Sequence, residues 1–337
     1  MADRILPVHL CLDVEPDARE VAGQPEADWS GTAPFLDLIE QFRAEAGASG
    51  FPVHVTWFLR QDPQIREAYG RADYAYHQFR TCWERARAGG DGFGSHVHAW
   101  HRKDDRWVAD HGDPAWVGRC VEESLDAYEQ SFGQPPRMFR FGDHFMSNDV
   151  VRRLERRGVC YDLSLEPGLG SMKVLKPDEV ASGRLPDYTA IPRSPYFPSR
   201  LDYRRPARWW PRRLRMIPIS TGMADGDHVP GWGRGIYSPL NLALDTVWMT
   251  RLSDAVLADP ATTHLVWVAR TGDYGQPEFQ SNIRANLAYL AARGVAIPAR
   301  HRRPARYGTG MSEAKKKLTN RRFYKARQEA TFEEAHP

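Results

Sequence analysis

Short apolar segments alternate along the chain with longer segments in which apolar residues recur at helical spacing. The short segments are rich in β-branched and aromatic residues, which is typical of buried strands. They predict strands at Ile5–Asp13, Val53–Leu59, Gly92–Trp100, Arg137–Gly142, Val159–Leu165 and His264–Ala269. The helical spacing predicts helices at Pro34–Ala46, 64–88, Pro114–Phe132, Asp149–Arg157, Leu240–Leu257 and Ser281–Ala292. Strands that alternate with helices indicate an α/β fold with a parallel sheet or barrel.

The alternation stops between residues 166 and 240, where the chain is rich in proline, arginine and aromatic residues. We expect long loops with short strands in this segment, and Leu214–Ile219 is one of these strands. A long ordered insertion in such a fold commonly carries substrate specificity. We therefore expect a catalytic domain over residues 1–299 that contains a long loop insertion at 166–240.

Residues 300–337 form a basic tail with few apolar residues. Its cationic side chains are Arg302, Arg303, Arg306, Lys315, Lys316, Lys317, Arg321, Arg322, Lys325 and Arg327. This composition is typical of a solvated, partly disordered chain end. A basic patch that binds an anionic partner is the alternative interpretation of the same residues.

The charges of the whole chain are almost balanced. A net charge of +3 over 337 residues gives no general reason to expect binding to nucleic acid or to an acidic membrane. The N-terminus lacks the pattern of a signal peptide, and no apolar run is long enough to span a membrane. We therefore expect a soluble cytoplasmic protein, and the sequence does not predict its oligomeric state.

Cysteine and tryptophan have no spacing that defines a site. Four scattered cysteines lack a CxxC motif, so we expect them to be reduced and mostly buried. Eleven tryptophans either pack the core or supply apolar, hydrogen-bonding surfaces of the kind that sugars contact. On the second interpretation, Trp57 and Trp100 are candidates for substrate binding.

Two acidic residues lie at the end of the first predicted strand. Asp13 and Glu15 are two positions apart, so their side chains point to the same side of an extended chain. In parallel α/β folds, chemistry occurs at the carboxyl ends of the strands. The pair therefore suits metal binding or acid–base catalysis, and a solvated strand end without a function is the alternative.

Three histidines fall within six residues at the end of the third predicted strand. His96 and His98 share a face if the strand continues, and His101 follows on the loop. Imidazole nitrogens are favoured zinc ligands, and a catalytic zinc ion has about three protein ligands with one position left for water. A single histidine usually has a structural role, but three at one strand end favour a metal site.

Charged residues also follow two later strands. Arg140, Asp143 and His144 come at the end of the fourth strand, where they could orient the acids, bind substrate or protonate a leaving group. An Arg–Asp pair that only holds the loop is the alternative. Arg270 and Asp273 follow the last strand beside a glycine turn, and we assign them to substrate binding.

In their order along the chain, these segments resemble the polysaccharide deacetylases of carbohydrate esterase family four. The first family motif, a strand that ends in Asp-x-Asp/Glu, is matched by Leu10-Cys11-Leu12-Asp13-Val14-Glu15. The following strand and the second motif, Gly-x-His with a further His, are matched by Val55-Thr56-Trp57-Phe58 and Gly94-Ser95-His96. The third motif is matched by Phe139-Arg140-Phe141-Gly142 and, after a helix, by Tyr161-Asp162-Leu163-Ser164. The resemblance covers residues 5–165 and extends more faintly to 264–272.

The resemblance implies an irregular (β/α) barrel of mainly parallel strands. It also implies that Asp13 is the general base and that Glu15 and His96 are metal ligands. The family spaces its two metal histidines four residues apart, but position 100 is Trp, so His98 or His101 must supply the remaining ligand. The late catalytic histidine of the family is missing after the strand 264–269, and His144 is the nearest substitute by residue type.

The activity that the resemblance implies is removal of an N-acetyl or related acyl group from a sugar or glycan precursor. It implies a divalent metal ion as cofactor, with zinc as the favoured ion. The expected partner is thus a small-molecule or glycan substrate. Another amide hydrolase on the same scaffold and a catalytically inactive carbohydrate-binding protein are the alternatives.

Overall fold

The computed structural model describes residues 4–18, 21, 28–48, 53–104, 106–171, 181–223, 237–259, 261–293 and 296–297. The strands are β1 (Arg4–Ile5), β2 (Val8–Val14), β3 (Val53–Arg60), β4 (Gly92–Val97), β5 (Trp100–Lys103), β6 (Arg106–Asp110), β7 (Met138–Phe141), β8 (Tyr161–Asp162), β9 (Ala181–Ser182), β10 (Arg215–Met216), β11 (Thr221–Met223), β12 (Tyr237–Pro239), β13 (Leu265–Arg270) and β14 (Ala296–Ile297). The helices are α1 (Thr32–Ala48), α2 (Pro63–Tyr69), α3 (Tyr74–Gln78), α4 (Arg80–Ala88), α5 (Pro114–Phe132), α6 (Asn148–Arg156), α7 (Thr246–Ala258), α8 (Thr271–Tyr274) and α9 (Pro277–Arg293).

Seven parallel strands form the central sheet. Their order is β10-β8-β7-β4-β3-β2-β13, and each neighbouring pair is parallel. Beyond β10, the Ser220 hydroxyl accepts a hydrogen bond from Val266 N of β13 at 2.9 Å, which links the two outer strands of the sheet. The sheet with its surrounding helices is the irregular (β/α) barrel that the sequence predicts, so this fold class is confirmed.

Alternation along the strands gives the sheet two faces. Leu10 and Trp57 belong to a large apolar core between the sheet and the helices. Cys11 and Phe58, at the intervening positions, belong to a smaller apolar cluster inside the barrel. Burial of a large apolar side chain stabilises the fold by about 1.5–3 kcal/mol, so both layers hold the alternation in register. Continuing the same alternation directs Asp13 and the other odd-numbered residues of β2 into the barrel.

Capping residues set the ends of the helices that cover the sheet. Helix α5 begins after Asp113, whose carboxylate accepts hydrogen bonds from Ala115 N at 2.9 Å and Trp116 N at 3.1 Å. It ends at Gly133, whose φ of 71° is in the left-handed region that favours glycine. The prediction of a helix at Pro114–Phe132 is therefore confirmed with the same bounds.

Several predicted elements have different limits in the structure. The predicted helix at 64–88 is wrong as a single element, because Gly70 takes a φ of 81° and ends α2 before α3 and α4 begin. The predicted strand Gly92–Trp100 ends at Val97, and Trp100 instead begins β5, which forms an unpredicted antiparallel pair with β6. The strands predicted at Val159–Leu165 and Leu214–Ile219 are reduced to β8 and β10.

The helix predicted at Leu240–Leu257 begins only at Thr246, where the Asp245 carboxylate caps it by accepting a hydrogen bond from Trp248 N at 3.0 Å. Before it, Asn241 forms an isolated bridge with Val268 of β13, and Leu242 N donates a hydrogen bond to Val268 O at 2.9 Å. Residues 242–243 then form a turn. Apolar spacing alone could not distinguish this turn beside the sheet from the first turn of a helix.

The insertion at 166–240 contains the short strands β9 to β12 in its described parts. The basic tail at 300–337 lies outside the described residues, as do the predictions made for it. All four cysteines are free and three are buried, which confirms the expectation for them. No helix in the described part of the chain is both long and apolar enough to cross a membrane.

Candidate metal centre and active site

The carboxyl ends of the central strands bring several of the predicted site residues to one edge of the barrel. The strand register places Asp13 of β2 beside Arg270 of β13, and His96 of β4 beside Arg140 of β7. Because all these strands are parallel, the residues that follow them also meet at this edge. Glu15, His98 and Asp143 are such residues.

Glu15, His96 and His98 form a compact group in which one ligand atom from each lies within 4.8 Å of the others. The Nε2 atoms of the two histidines are 3.0 Å apart. Glu15 Oε2 lies 2.9 Å from His98 Nε2 and 3.8 Å from His96 Nε2. All three side chains are buried, with at most 3% of their surface exposed.

The outer nitrogens of both imidazoles face groups that can only accept hydrogen bonds. His96 donates Nδ1–H to the carbonyl oxygen of Arg140 at 3.0 Å, and His98 donates Nδ1–H to Asp143 Oδ2 at 2.9 Å. A neutral imidazole carries a single N–H, so both Nε2 atoms then present lone pairs. Two lone pairs and a carboxylate oxygen that face one another require a cation between them, which is either a metal ion or a proton.

This donor set fits a divalent metal ion. Zinc binds imidazole nitrogen and carboxylate oxygen at about 2.0–2.2 Å, so the ligand atoms of a tetrahedral site lie about 3.3 Å apart. The separations of 2.9, 3.0 and 3.8 Å lie on both sides of that spacing. A carbonyl or carboxylate on the outer nitrogen is the usual support of a metal-binding histidine. Glu15, His96 and His98 could therefore hold a metal ion.

Two arginines approach Glu15. Arg270 forms a close ion pair with Oε1, and Arg60 Nη1 lies 3.6 Å from Oε2. Burial favours the neutral acid, but the charges of Arg270 and His98 hold the pKa of Glu15 well below its usual range. Glu15 is therefore a carboxylate at neutral pH, which is the form that binds a metal ion.

Arg60 and Asp62 hold the site residues in place, although neither was predicted from the sequence. Arg60 is completely buried, and its Nε donates a hydrogen bond to Asp62 Oδ2 at 2.8 Å. The same oxygen accepts from His98 N at 2.9 Å, while Oδ1 accepts from Ile65 N and caps α2. Asp62 thus connects β3, α2 and the histidine loop. Strand alternation gave a signal for Arg60, because it points inward like Phe58 two positions earlier.

Asp13 lies beside the metal-ligand group rather than within it. Both of its carboxylate oxygens accept hydrogen bonds from Arg140 Nε, at 2.8 and 2.9 Å. Asp13 Oδ1 is 3.8 Å from His96 Nδ1. Burial opposes the charge of Arg140, but the Asp13 carboxylate raises the pKa of that guanidinium above its usual value. A permanent positive charge therefore fixes the position of Asp13 next to His96.

The loop after β7 has a strained backbone. Asp143 and His144 have φ values of 51° and 54°, in a region that residues with side chains rarely occupy. Gly142 allows the loop to approach the site, because a Cβ at this position would lie 2.3 Å from the His98 ring. Strain of this kind is retained where a side chain must be aimed, and here the loop directs Asp143 onto His98.

Two further buried groups adjoin this loop. His144 Nδ1 lies 2.7 Å from Glu166 Oε1, so Nε2 is the nitrogen left for another partner. His111 Nε2 lies 3.8 Å from Asp143 Oδ2, and burial lowers the pKa of His111. In the sequence neither Glu166 nor His111 gives a signal, since each reaches the site from a loop without periodicity.

Of the two histidines left open as the remaining ligand, His98 lies in the group and His101 does not. His101 stacks on Trp116 with ring centroids 4.1 Å apart, and its Nδ1 lies 3.4 Å from Asp110 Oδ2. Strand β5 carries His101 away from the end of β4 into the separate sheet of β5, β6 and β9. Arg270 forms an ion pair with Asp273 at 3.4 Å and a second ion pair with Glu15. The charge of Arg270 therefore acts on a residue of the candidate site.

Neither tryptophan assigned to substrate binding is placed to contact a substrate. Trp57 is completely buried on the helix-facing side of β3, and its Nε1 donates a hydrogen bond to Asp91 at 2.8 Å. Trp100 is 1% exposed and packs with Trp107 in a small apolar cluster. We therefore correct both assignments: strand alternation directs Trp57 into the core, and the β5–β6 pair buries Trp100.

No family model matches this sequence, and no curated protein matches it. Among solved structures, a candidate glycoside hydrolase/deacetylase from Parabacteroides distasonis has a TM-score of 0.53 at 12% identity, over 87% of this chain and 68% of that chain. A candidate polysaccharide deacetylase from Mycobacterium smegmatis has a TM-score of 0.46 at 14% identity, over 87% and 88% of the two chains. A candidate polysaccharide deacetylase of O-antigen biosynthesis from Bordetella bronchiseptica has a TM-score of 0.39 at 14% identity, over 86% and 90%. The first of these similarities shows a shared fold.

Proposed function

We propose that this protein is a metal-dependent amide hydrolase that removes an N-acetyl or related acyl group from a sugar or glycan precursor. The observation that carries the proposal is the convergence of two imidazole lone pairs and the Glu15 carboxylate, with Asp13 held beside them. The fold shared with a glycoside hydrolase/deacetylase candidate supports a carbohydrate substrate.

In this proposal Glu15, His96 and His98 hold a divalent ion, with zinc favoured by the mixture of imidazole and carboxylate donors. A bound ion of this kind would polarise the acyl carbonyl group and acidify a water molecule. Asp143 and the Arg140 carbonyl fix the histidine tautomers that leave both Nε2 atoms available.

Asp13 is the proposed general base. Its carboxylate accepts the proton of the attacking water, and Arg140 holds the carboxylate in position during this transfer. When the C–N bond breaks, the leaving amine needs a proton, for which His144 is the candidate donor. Glu166 binds Nδ1 of His144 and would stabilise the protonated ring.

A catalytically inactive carbohydrate-binding protein is the second candidate, and one feature favours it. Arg270 and Arg60 already compensate the charge of Glu15. Burial opposes charge on His98, but Asp143 and Glu15 raise its pKa, so a protonated His98 could take the place of a metal ion. A proton held in this way would leave the site without a Lewis acid.

The test is release of acetate from a panel of N-acetyl sugars, with formyl amides included for the related amide hydrolases. Asp13→Asn should lower the rate by about 100- to 10,000-fold, because asparagine cannot accept the proton of the water. Metal content should stay the same in this variant. The matched control is Asp37→Asn on the outer surface of α1, where the side chain is 56% exposed. Loss of metal from Asp13→Asn would make Asp13 a ligand, and absence of turnover on every substrate would favour the inactive binding protein.

A further inference from the structure

The insertion presents two adjacent tryptophans to solvent. Trp209 is 82% exposed and Trp210 is 83% exposed, while nearly all other large aromatic side chains in the described residues are largely buried. Single exposed apolar residues are common on protein surfaces, but two neighbouring indole rings that are both largely exposed are a feature of contact surfaces.

The segment that carries the pair is firmly attached to the barrel. Arg212, two residues after Trp210, is 6% exposed and donates hydrogen bonds to Glu155 Oε2 at 2.5 Å and to the Arg200 carbonyl at 2.9 Å. Leu214 is completely buried and leads into β10 of the central sheet. The exposure of the two rings is therefore not the result of a loose chain end.

The backbone at the tip is also strained. Trp210 has a φ of 50°, a left-handed conformation that is rare for a bulky residue. Pro206 precedes the two tryptophans and Pro211 follows them, and both prolines restrict the backbone further. Backbone strain that is retained where an apolar side chain is exposed to solvent indicates that the exposed side chain has a function.

Arginines flank the two tryptophans in the sequence. Residues 200–215 contain seven arginines and one acidic residue, Asp202. Arg204 and Arg205 pair with Asp202, but exposed Arg200, Arg208 and Arg213 form no ion pair with any residue that the structure describes. The segment therefore combines indole rings with unpaired guanidinium groups, while the nearby carboxylates of Asp202 and Glu155 are already bonded to the segment itself.

We infer that this tip, residues 207–213, is a docking surface for an anionic lipid bilayer. Indole rings partition to the level of lipid headgroups, and guanidinium groups bind headgroup phosphates. Basic residues near a membrane surface add attraction to anionic lipids that falls off within a Debye length. Because the tip shares no residue with the candidate metal site, this inference does not depend on the proposed activity.

Sedimentation of the full-length protein with lipid vesicles tests the inference. Vesicles of phosphatidylcholine with roughly one third phosphatidylglycerol should bind the protein at least about tenfold more tightly than pure phosphatidylcholine vesicles. Trp209→Ser/Trp210→Ser should weaken that binding by about tenfold or more. Arg208→Gln/Arg213→Gln should weaken it mainly at low salt, where screening is slight. Matched controls are Val247→Ser, at an apolar side chain that is 59% exposed, and Arg80→Gln, at an arginine that is 71% exposed.

The basic tail is present in every variant, so its contribution does not change between them. Equal binding of wild type and the double tryptophan variant would assign the binding to another part of the chain and overturn the inference. Failure of the wild type to bind the anionic vesicles would also overturn it, and would favour a protein or soluble glycan as the partner. A lower melting temperature of the tryptophan variant would show that the rings pack on the chain instead of serving a membrane.

Discussion

The two ends of the barrel both carry histidines, but they hold them in different surroundings. At the amino ends of the strands, His9 and His54 lie side by side in the register of β2 and β3, and His264 precedes β13. At the carboxyl ends, His96 and His98 meet Glu15 and Asp143.

Neutral groups accompany the histidines of the amino end. His9 Nε2 bonds to the Thr56 hydroxyl at 2.8 Å, and His264 Nε2 to the Pro218 carbonyl at 3.1 Å. Burial, with the nearby charges of His54 and His264, lowers the pKa of His9 to about 4. A group of histidines therefore indicates a metal site only where acceptors fix their tautomers and their free nitrogens converge with a carboxylate.

The largest expected difference between the two ends of the barrel is in zinc affinity, when one histidine at each end is replaced by glutamine. His98→Gln should weaken zinc binding by more than about a hundredfold, because loss of a ligand exceeds the effect of losing its outer partner. His9→Gln should leave zinc affinity unchanged. Titration of chelator-treated protein with zinc measures both. Equal affinities in the two variants would remove the distinction between the ends.

A smaller loss of zinc affinity is expected when the carboxylate of Asp143, which bonds the outer nitrogen of His98, is removed. Asp143→Asn should weaken zinc binding by about 10- to 100-fold, since His98 loses the acceptor that fixes its tautomer. Asp110→Asn is the matched control, because Asp110 pairs with His101 in the same way outside the ligand group. If Asp110→Asn lost zinc and Asp143→Asn retained it, the ligand would be His101.

The smallest expected effect is on the pH dependence of the free energy of unfolding, to which His9 at the amino ends of the strands contributes. The folded-state pKa of His9 is lowered to about 4, so the unfolded chain binds more protons than the folded chain between pH 4 and 6.5. The contribution of neutral His9 is complete above pH 6.5 and is lost as the pH falls towards 4. Wild type should therefore lose about 1–2 kcal/mol more than His9→Gln between pH 7 and 5. Urea unfolding at the two pH values measures this, and parallel losses would show that His9 is not buried neutral.

The spacing of apolar residues along the strands predicted which side chains face the barrel interior and which order the strands and helices follow. It placed Asp13 and Glu15 on one side of β2, and the order of strands and helices predicted the barrel. The same rule, applied one strand further, would have placed Arg60 inside and Trp57 in the outer core.

Contacts made by loops could not be predicted in this way. The choice between His98 and His101 depends on where β4 ends and β5 begins, which the apolar run across 92–100 conceals. The partners of Asp143 and His144 depend on left-handed backbone angles that these residue types do not demand. Long-range pairs such as His144 with Glu166 join residues that no local pattern connects.

Whether Glu15, His96 and His98 bind a metal ion is tested by metal analysis of the purified full-length protein at neutral pH, followed by zinc titration after chelation. We expect one divalent ion per chain, which is released by chelation, rebinds on titration and is lost in Glu15→Gln. A protein that contains no metal and binds no added zinc would contradict it, and would leave a proton between His96 and His98.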